Sequence, residues 1–231
     1  RDVTDSTLRE FQKELQNEEL EDVLERHVND IELLTTSFGQ IVDIRKRTDN
    51  QTLDAYQVLK YYSDINDVAL NTVDQLINET RDKDIAQQVH ALIYFLKAKE
   101  RASIERAIGT QAFSLKAMDD ELYSTFTSLV AEQLSYTDAF TVIADQDSRD
   151  TYDRLVSGHD VDEVERLRGV LHNRTNFEVD PGYWYEMTTN KINSLKKVED
   201  SISNRLLDRT SGLAGEAFRK FWTFIVLDII I

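Results

Sequence analysis

Cysteine is absent from this 231-residue sequence, which excludes disulfides and thiolate metal sites and fits the cytoplasm and the periplasm equally. Proline occurs once, at Pro181, and glycine seven times. Helix interiors exclude both residue types and sheet-rich folds need them at turns, so their scarcity predicts long helices with few corners. Only four histidines are present, which leaves little for zinc. A di-iron bundle needs Glu-x-x-His pairs, but Leu24, Gln87, Val156 and Gly169 stand three residues before His27, His90, His159 and His172. No HExxH, P-loop, GxSxG or dinucleotide fingerprint occurs. The chain is therefore not read as an enzyme, and no cofactor is expected. Basic residues are also in deficit, 27 against 43 acidic ones, for a formal charge of −16. Such a chain repels phosphate backbones and has no dense Lys/Arg cluster, so no nucleic-acid partner is expected.

What is present is a set of apolar stripes with alternating spacings of three and four, the mark of helices packed lengthwise. The first runs Leu20, Leu24, His27, Ile31, Leu34, Phe38, Ile41, Arg45. A second helix is predicted over 53–79, with Tyr56, Leu59, Tyr62, Ile65, Ala69, Val73 and Leu76 inward. A third, over 84–116, carries Leu92, Leu96, Lys99, Ser103, Arg106 and Phe113. A fourth carries Leu122, Phe126, Leu129, Gln133, Tyr136, Phe140 and Ile143. Shorter segments follow at 151–156 and 161–172, the latter with Asp160 as its expected N-cap. Asp180 followed by Pro181 starts a helix well, and a last long helix over 184–209 places Leu195, Val198 and Ile202 on one face. The aromatic group Tyr183, Trp184, Tyr185 is read as an anchor that seats this helix, with a cation–π box as the alternative. The implied fold is all-α: an elongated antiparallel helical bundle, four long helices with the later ones extending or doubling it.

The last eleven residues, Phe221–Ile231, are largely apolar and follow the basic pair Arg219–Lys220. A full span needs about twenty such residues. The run reads either as a core helix end or, as preferred here, as the first half of a transmembrane helix. Residues 1–210 then form one helical domain, and 211–231 a linker and membrane entry.

Polar residues on the stripes carry the functional signal. His27 and Arg45 interrupt the first stripe, Lys99 and Arg106 the third, and Gln133 the fourth. A buried cation is costly unless acceptors satisfy it. The partner is either internal, with Glu25, Glu100 and Glu105 as candidates, or a ligand; Arg101–Glu105 also reads as an i,i+4 surface pair. In a chain of charge −16 an anion site must be short-range and shielded. Forked guanidinium donors suit that task and match carboxylate, nitrate or nitrite.

Three stretches, in order, resemble the nitrate- and nitrite-sensing (NIT) domain family. They are Lys97–Gly109 (KAKERASIERAIG), Asp180–Asp200 (DPGYWYEMTTNKINSLKKVED), and the first helix with Glu25–Arg26 and Arg45–Asp49 (RKRTD). The similarity spans Leu20 to Leu207. It departs from the family pattern at His27 and Asn29, where glycine and serine are usual, and at Ile44, where glutamine is usual. The resemblance implies two stacked four-helix bundles and a sensor joined to one of many outputs: chemotaxis domains, diguanylate cyclases, histidine kinases or an RNA-binding antiterminator. It also implies anion binding by arginines, carried by position onto Arg26 and Arg106 and, less closely, Arg45 and Arg168. The stripes mark Arg106 and Arg45 independently; Arg26 rests on the resemblance alone.

The expectation is a sensor that binds nitrate, nitrite or a similar small oxyanion between helices through converging arginines. It is placed as the periplasmic domain of a homodimeric bacterial membrane receptor, anchored through its C-terminal helix, with the cytoplasm as the other placement. The rivals are a sensor for a small carboxylate and a ligand-free helical interaction or spacer module.

Overall fold

The computed structural model describes residues 28–53, 55–77, 82–175 and 177–210, together with Asp5, Arg9 and Lys13. Every regular element among the described residues is helical: α1 (Val28–Gly39), α2 (Ile41–Asp49), α3 (Ala55–Ile77), α4 (Lys83–Leu115), α5 (Asp120–Ile143), α6 (Gln146–Leu155), α7 (His159–His172) and α8 (Pro181–Thr210). The chain divides into two compact units, one of residues 1–89 with 203–231 and one of residues 90–202. Leu20, Leu24, Arg26, His27, the side chains of Tyr56 and Leu76, and the whole segment 211–231 lie outside the described residues.

Aspartates start four of the helices by accepting backbone N–H bonds that the first turn leaves unpaired. Asp82 takes those of Asp84 and Ile85 at 3.0 Å, Asp119 that of Leu122 at 2.8 Å, Asp145 that of Ser148 at 2.8 Å and Asp180 that of Gly182 at 2.9 Å. The Asp180–Pro181 start is as expected. The α7 start is not: the cap is Gly158 at φ 98°, with no side-chain cap, and Asp160 lies inside the first turn. A backbone at that φ is readily available only to glycine, so the helix begins before the aspartate that looked like its cap.

In the first unit α1 and α2 continue one stripe across a single tight turn at Gln40, whose N–H reaches the Ser37 carbonyl at 3.3 Å. Leu34, Phe38 and Ile41 are buried there with Ile65, Ala69, Leu70 and Val73 of α3. The Tyr61 hydroxyl donates to the Ser37 carbonyl at 2.7 Å, and burial pushes that phenol up to about 12.

In the second unit α4 is buried almost all round. Beside the expected stripe runs a second seam of small residues, Ala98, Ala102, Gly109 and Ala112, all buried, which lets neighbouring helices approach closely. One core joins Ile108, Phe113, Phe126, Leu129, Val164, Leu167, Leu171, Trp184 and Met187 from α4, α5, α7 and α8. A second aromatic group, Phe95, Phe140 and Tyr152, ties α4, α5 and α6, with ring centroids 5.2 to 6.2 Å apart.

Candidate functional site

Trp184 sets the geometry of the site. Its side chain is fully buried, and its Nε1 donates to the Arg106 carbonyl at 2.9 Å. The indole lies so close to Gly109 that a Cβ there would sit 2.4 Å from Trp184 Cε2. The aromatic group therefore includes the expected anchor. Tyr185, one residue on, is half exposed, and the Arg106 guanidinium lies over its ring at 4.7 Å. Arg106 Nη1 donates to Thr189 Oγ1 at 2.9 Å. Among the described residues no carboxylate pairs with Arg106.

The other described cations that the sequence marked, Arg45, Lys99 and Arg168, each pair with a carboxylate. Arg168 is buried and forks onto Glu105, Nε to Oε1 at 2.5 Å and Nη2 to Oε2 at 2.6 Å. Its Nη1 reaches Glu165 at 2.5 Å and its Nη2 also meets Gln133 Oε1 at 2.7 Å; Gln133 in turn donates to Glu105 at 2.7 Å. Lys191, also buried, stands 3.8 Å from Glu165. Burial alone would push the Glu105 carboxyl up, but the hydrogen bonds and charge of Arg168 outweigh it and hold the group below its ordinary 4.5. The Arg101–Glu105 surface pair does not form: Glu105 is interior, and Arg101 pairs with Glu132 at 2.6 Å. Lys99 is buried against Glu199, which also accepts from Lys196 at 2.8 Å. In the first unit Arg45 pairs with Asp5. Among the described residues no group of His, Asp or Glu is arranged to hold a metal ion.

The low-lying Glu105 carboxyl has a consequence for stability. A carboxyl depressed on folding contributes stability that is whole above its unfolded value and is lost as pH falls through its folded one. Urea unfolding between pH 5.5 and 3 should show the wild type losing more stability on acidification than Glu105→Gln. Parallel curves would contradict this account of the pair.

Sequence reasoning did not single out Lys191, and the resemblance pointed to a threonine and a later acidic residue of the last helix without saying which. Extending the α8 stripe backwards from Leu195 through Lys191 and Thr188 to Trp184 keeps the same three-four spacing and would have found that lysine. Thr189 stands off that stripe, and the resemblance to the family's last-helix threonine does not separate it from Thr188.

Comparison with known proteins now decides the family. Residues 1–207 match the family pattern described as nitrate and nitrite sensing. The chain belongs to the NIT family. A nitrate regulatory protein of Klebsiella oxytoca is 28% identical, over 75% of this chain and 44% of that protein. The solved structure of the NasR transcription antiterminator superposes with a TM-score of 0.71 at 23% identity, covering 85% of this chain and 55% of that one, and shows a shared fold. The chain thus spans about half the length of these relatives.

The relatives overturn two expectations. They are a nitrate regulatory protein and a transcription antiterminator, and the periplasmic, membrane-anchored placement does not hold against them. No helix among the described residues is long and apolar enough to cross a membrane, and Phe221–Ile231 lies outside them. The exclusion of nucleic acid also fails, since an antiterminator acts in transcription. Charge is a local quantity: fields are screened within about 8 Å at physiological salt, so an acidic NIT segment does not govern what another part of a protein touches.

Proposed function

We propose that this NIT chain senses nitrate or nitrite by binding the anion at Arg106, in the service of regulation. The observation that supports this reading is the Arg106 guanidinium, half-buried in a chain of charge −16 and matched only by a hydroxyl and an aromatic ring among the described residues. A buried or half-buried cation held without a carboxylate is an unspent donor set. The guanidinium carbon lies 4.7 Å from the Tyr185 ring centroid, and forked guanidinium donors suit a flat anion that accepts parallel N–H bonds. The close approach of Gly109 and Trp184, with the bond from Trp184 Nε1 to the Arg106 carbonyl, joins α4 to α8 beside this residue.

Arg168 and Arg45 enter the proposal differently. Each would have to release a carboxylate to reach an anion, so Arg168 serves first to hold Glu105 and α7 beside Arg106. Arg26 remains the candidate that the family resemblance supplies from the first helix.

Calorimetric titration with nitrate, nitrite and chloride tests the reading. Nitrate and nitrite should bind and chloride should not. Arg106→Ala should weaken nitrate by at least about tenfold, the scale of one charge-assisted hydrogen bond, without lowering the melting temperature of the free protein. Equal nitrate binding by wild type and Arg106→Ala would refute it. Binding of acetate but not nitrate would favour the carboxylate sensor, and no heat with any anion the spacer module.

A further inference from the structure

Threonines inside a helix ordinarily spend their hydroxyl proton on the carbonyl one turn back. In this chain Thr110, Thr125 and Thr141 do so, onto Arg106, Glu121 and Thr137 at 2.7 to 3.0 Å. Thr188 does the same onto Trp184 at 2.7 Å, and it also reaches the Tyr185 carbonyl at 3.1 Å. Thr189, next in the chain, does not. Its back-bonding target would be that same Tyr185 carbonyl, but its Oγ1 instead accepts from Arg106 Nη1 at 2.9 Å. A hydroxyl has one proton to give and two lone pairs. Thr189 has used a lone pair, and among the described residues its proton has no acceptor.

We infer that Thr189 is a second anion-binding residue: its hydroxyl accepts from Arg106 and donates its free proton to the same anion that Arg106 holds. This deepens the reading of the Arg106 site and rests on it. The arrangement turns the guanidinium and hydroxyl into one donor pair, with the Arg–Thr bond fixing their spacing before the ligand arrives. It also bears on selectivity. A flat oxyanion offers separate oxygens to the guanidinium edge and to the hydroxyl, whereas a spherical halide offers a single centre.

The test is nitrate calorimetry on the whole chain with Thr189→Val, Thr189→Ser and Arg106→Ala. Valine keeps the shape and removes the hydroxyl; serine restores the hydroxyl. Thr189→Val should bind nitrate about tenfold more weakly, at an unchanged melting temperature, and Thr189→Ser should stay within about twofold of wild type. If Arg106→Ala loses binding while Thr189→Val retains it, this inference falls and the Arg106 site stands. Equal losses in Val and Ser variants also overturn it, since packing rather than the hydroxyl would then matter. No nitrate binding by the wild type would remove both readings together.

Discussion

Glu199→Gln is expected to destabilise the protein by about 3–5 kcal/mol, because it strips the partner from a cation already inside the fold. Lys99 and Glu199 are both buried, at 3% and 0% exposure, and pair across α4 and α8. Burial drives the Lys99 ammonium down to about 8 even with Glu199 and its charge in place. With the carboxylate gone the amine has more reason to shed its proton. The sign follows from proton counting: the unfolded chain keeps the proton, the folded variant does not, so stability rises with pH. The deficit of Glu199→Gln relative to wild type should narrow between pH 7 and pH 9 in urea unfolding. Replacing both partners, Lys99→Met with Glu199→Leu, should recover most of the loss, since a packed apolar pair needs no solvation. A double variant no more stable than the single one would show that the lysine and glutamate do something other than neutralise each other.

Gly109→Ala is the second large effect expected, at about 1–3 kcal/mol or more from overpacking. The added methyl would stand 2.4 to 2.6 Å from three atoms of the Trp184 indole. That ring has nowhere to go, being fully buried, packed at 5.8 Å against Phe113 and tied by Nε1 to the Arg106 carbonyl. Trp184→Ala should cost about 3–5 kcal/mol through the cavity it leaves. The two changes should not add: in Gly109→Ala/Trp184→Ala the methyl occupies part of the space the indole vacates, so the double loss should be smaller than the sum. Thermal unfolding of the four proteins closes this cycle, and strict additivity would separate Gly109 from Trp184. Gly109 lies within one turn of Arg106, so Gly109→Ala should also weaken nitrate binding.

Much of this fold was legible because amphipathic spacing and aspartate starts are local signals. The stripe through Leu92, Leu96, Lys99 and Phe113 located α4, and Asp180–Pro181 located the start of α8. The misreadings have physical causes. Asp160 looked like a cap by residue type, but Gly158 could take a backbone conformation that moved the start earlier. Glu105 was placed both on the surface and among candidate internal partners. It belongs to the interior because the seam around it is made of alanine and glycine, too weakly apolar to stand out in a periodicity. The Arg168–Glu105 pair joins residues 63 positions apart, a match that no local pattern encodes. Arg106 was visible because a cation on an apolar stripe is rare enough to ask for an explanation. The resemblance pointed to a threonine of the last helix but not to which one, since only its failure to bond its own helix separates Thr189 from Thr188.

The chain belongs to the NIT family, and the position of a bound anion tests the proposed site. The most direct measurement is a crystal structure of this chain grown in nitrate. The account predicts a flat anion in the plane of the Arg106 guanidinium, within hydrogen-bonding distance of Thr189 Oγ1, with Arg168 still paired to Glu105. Nitrate bound instead at Arg168, with Glu105 displaced and Arg106 untouched, would contradict it.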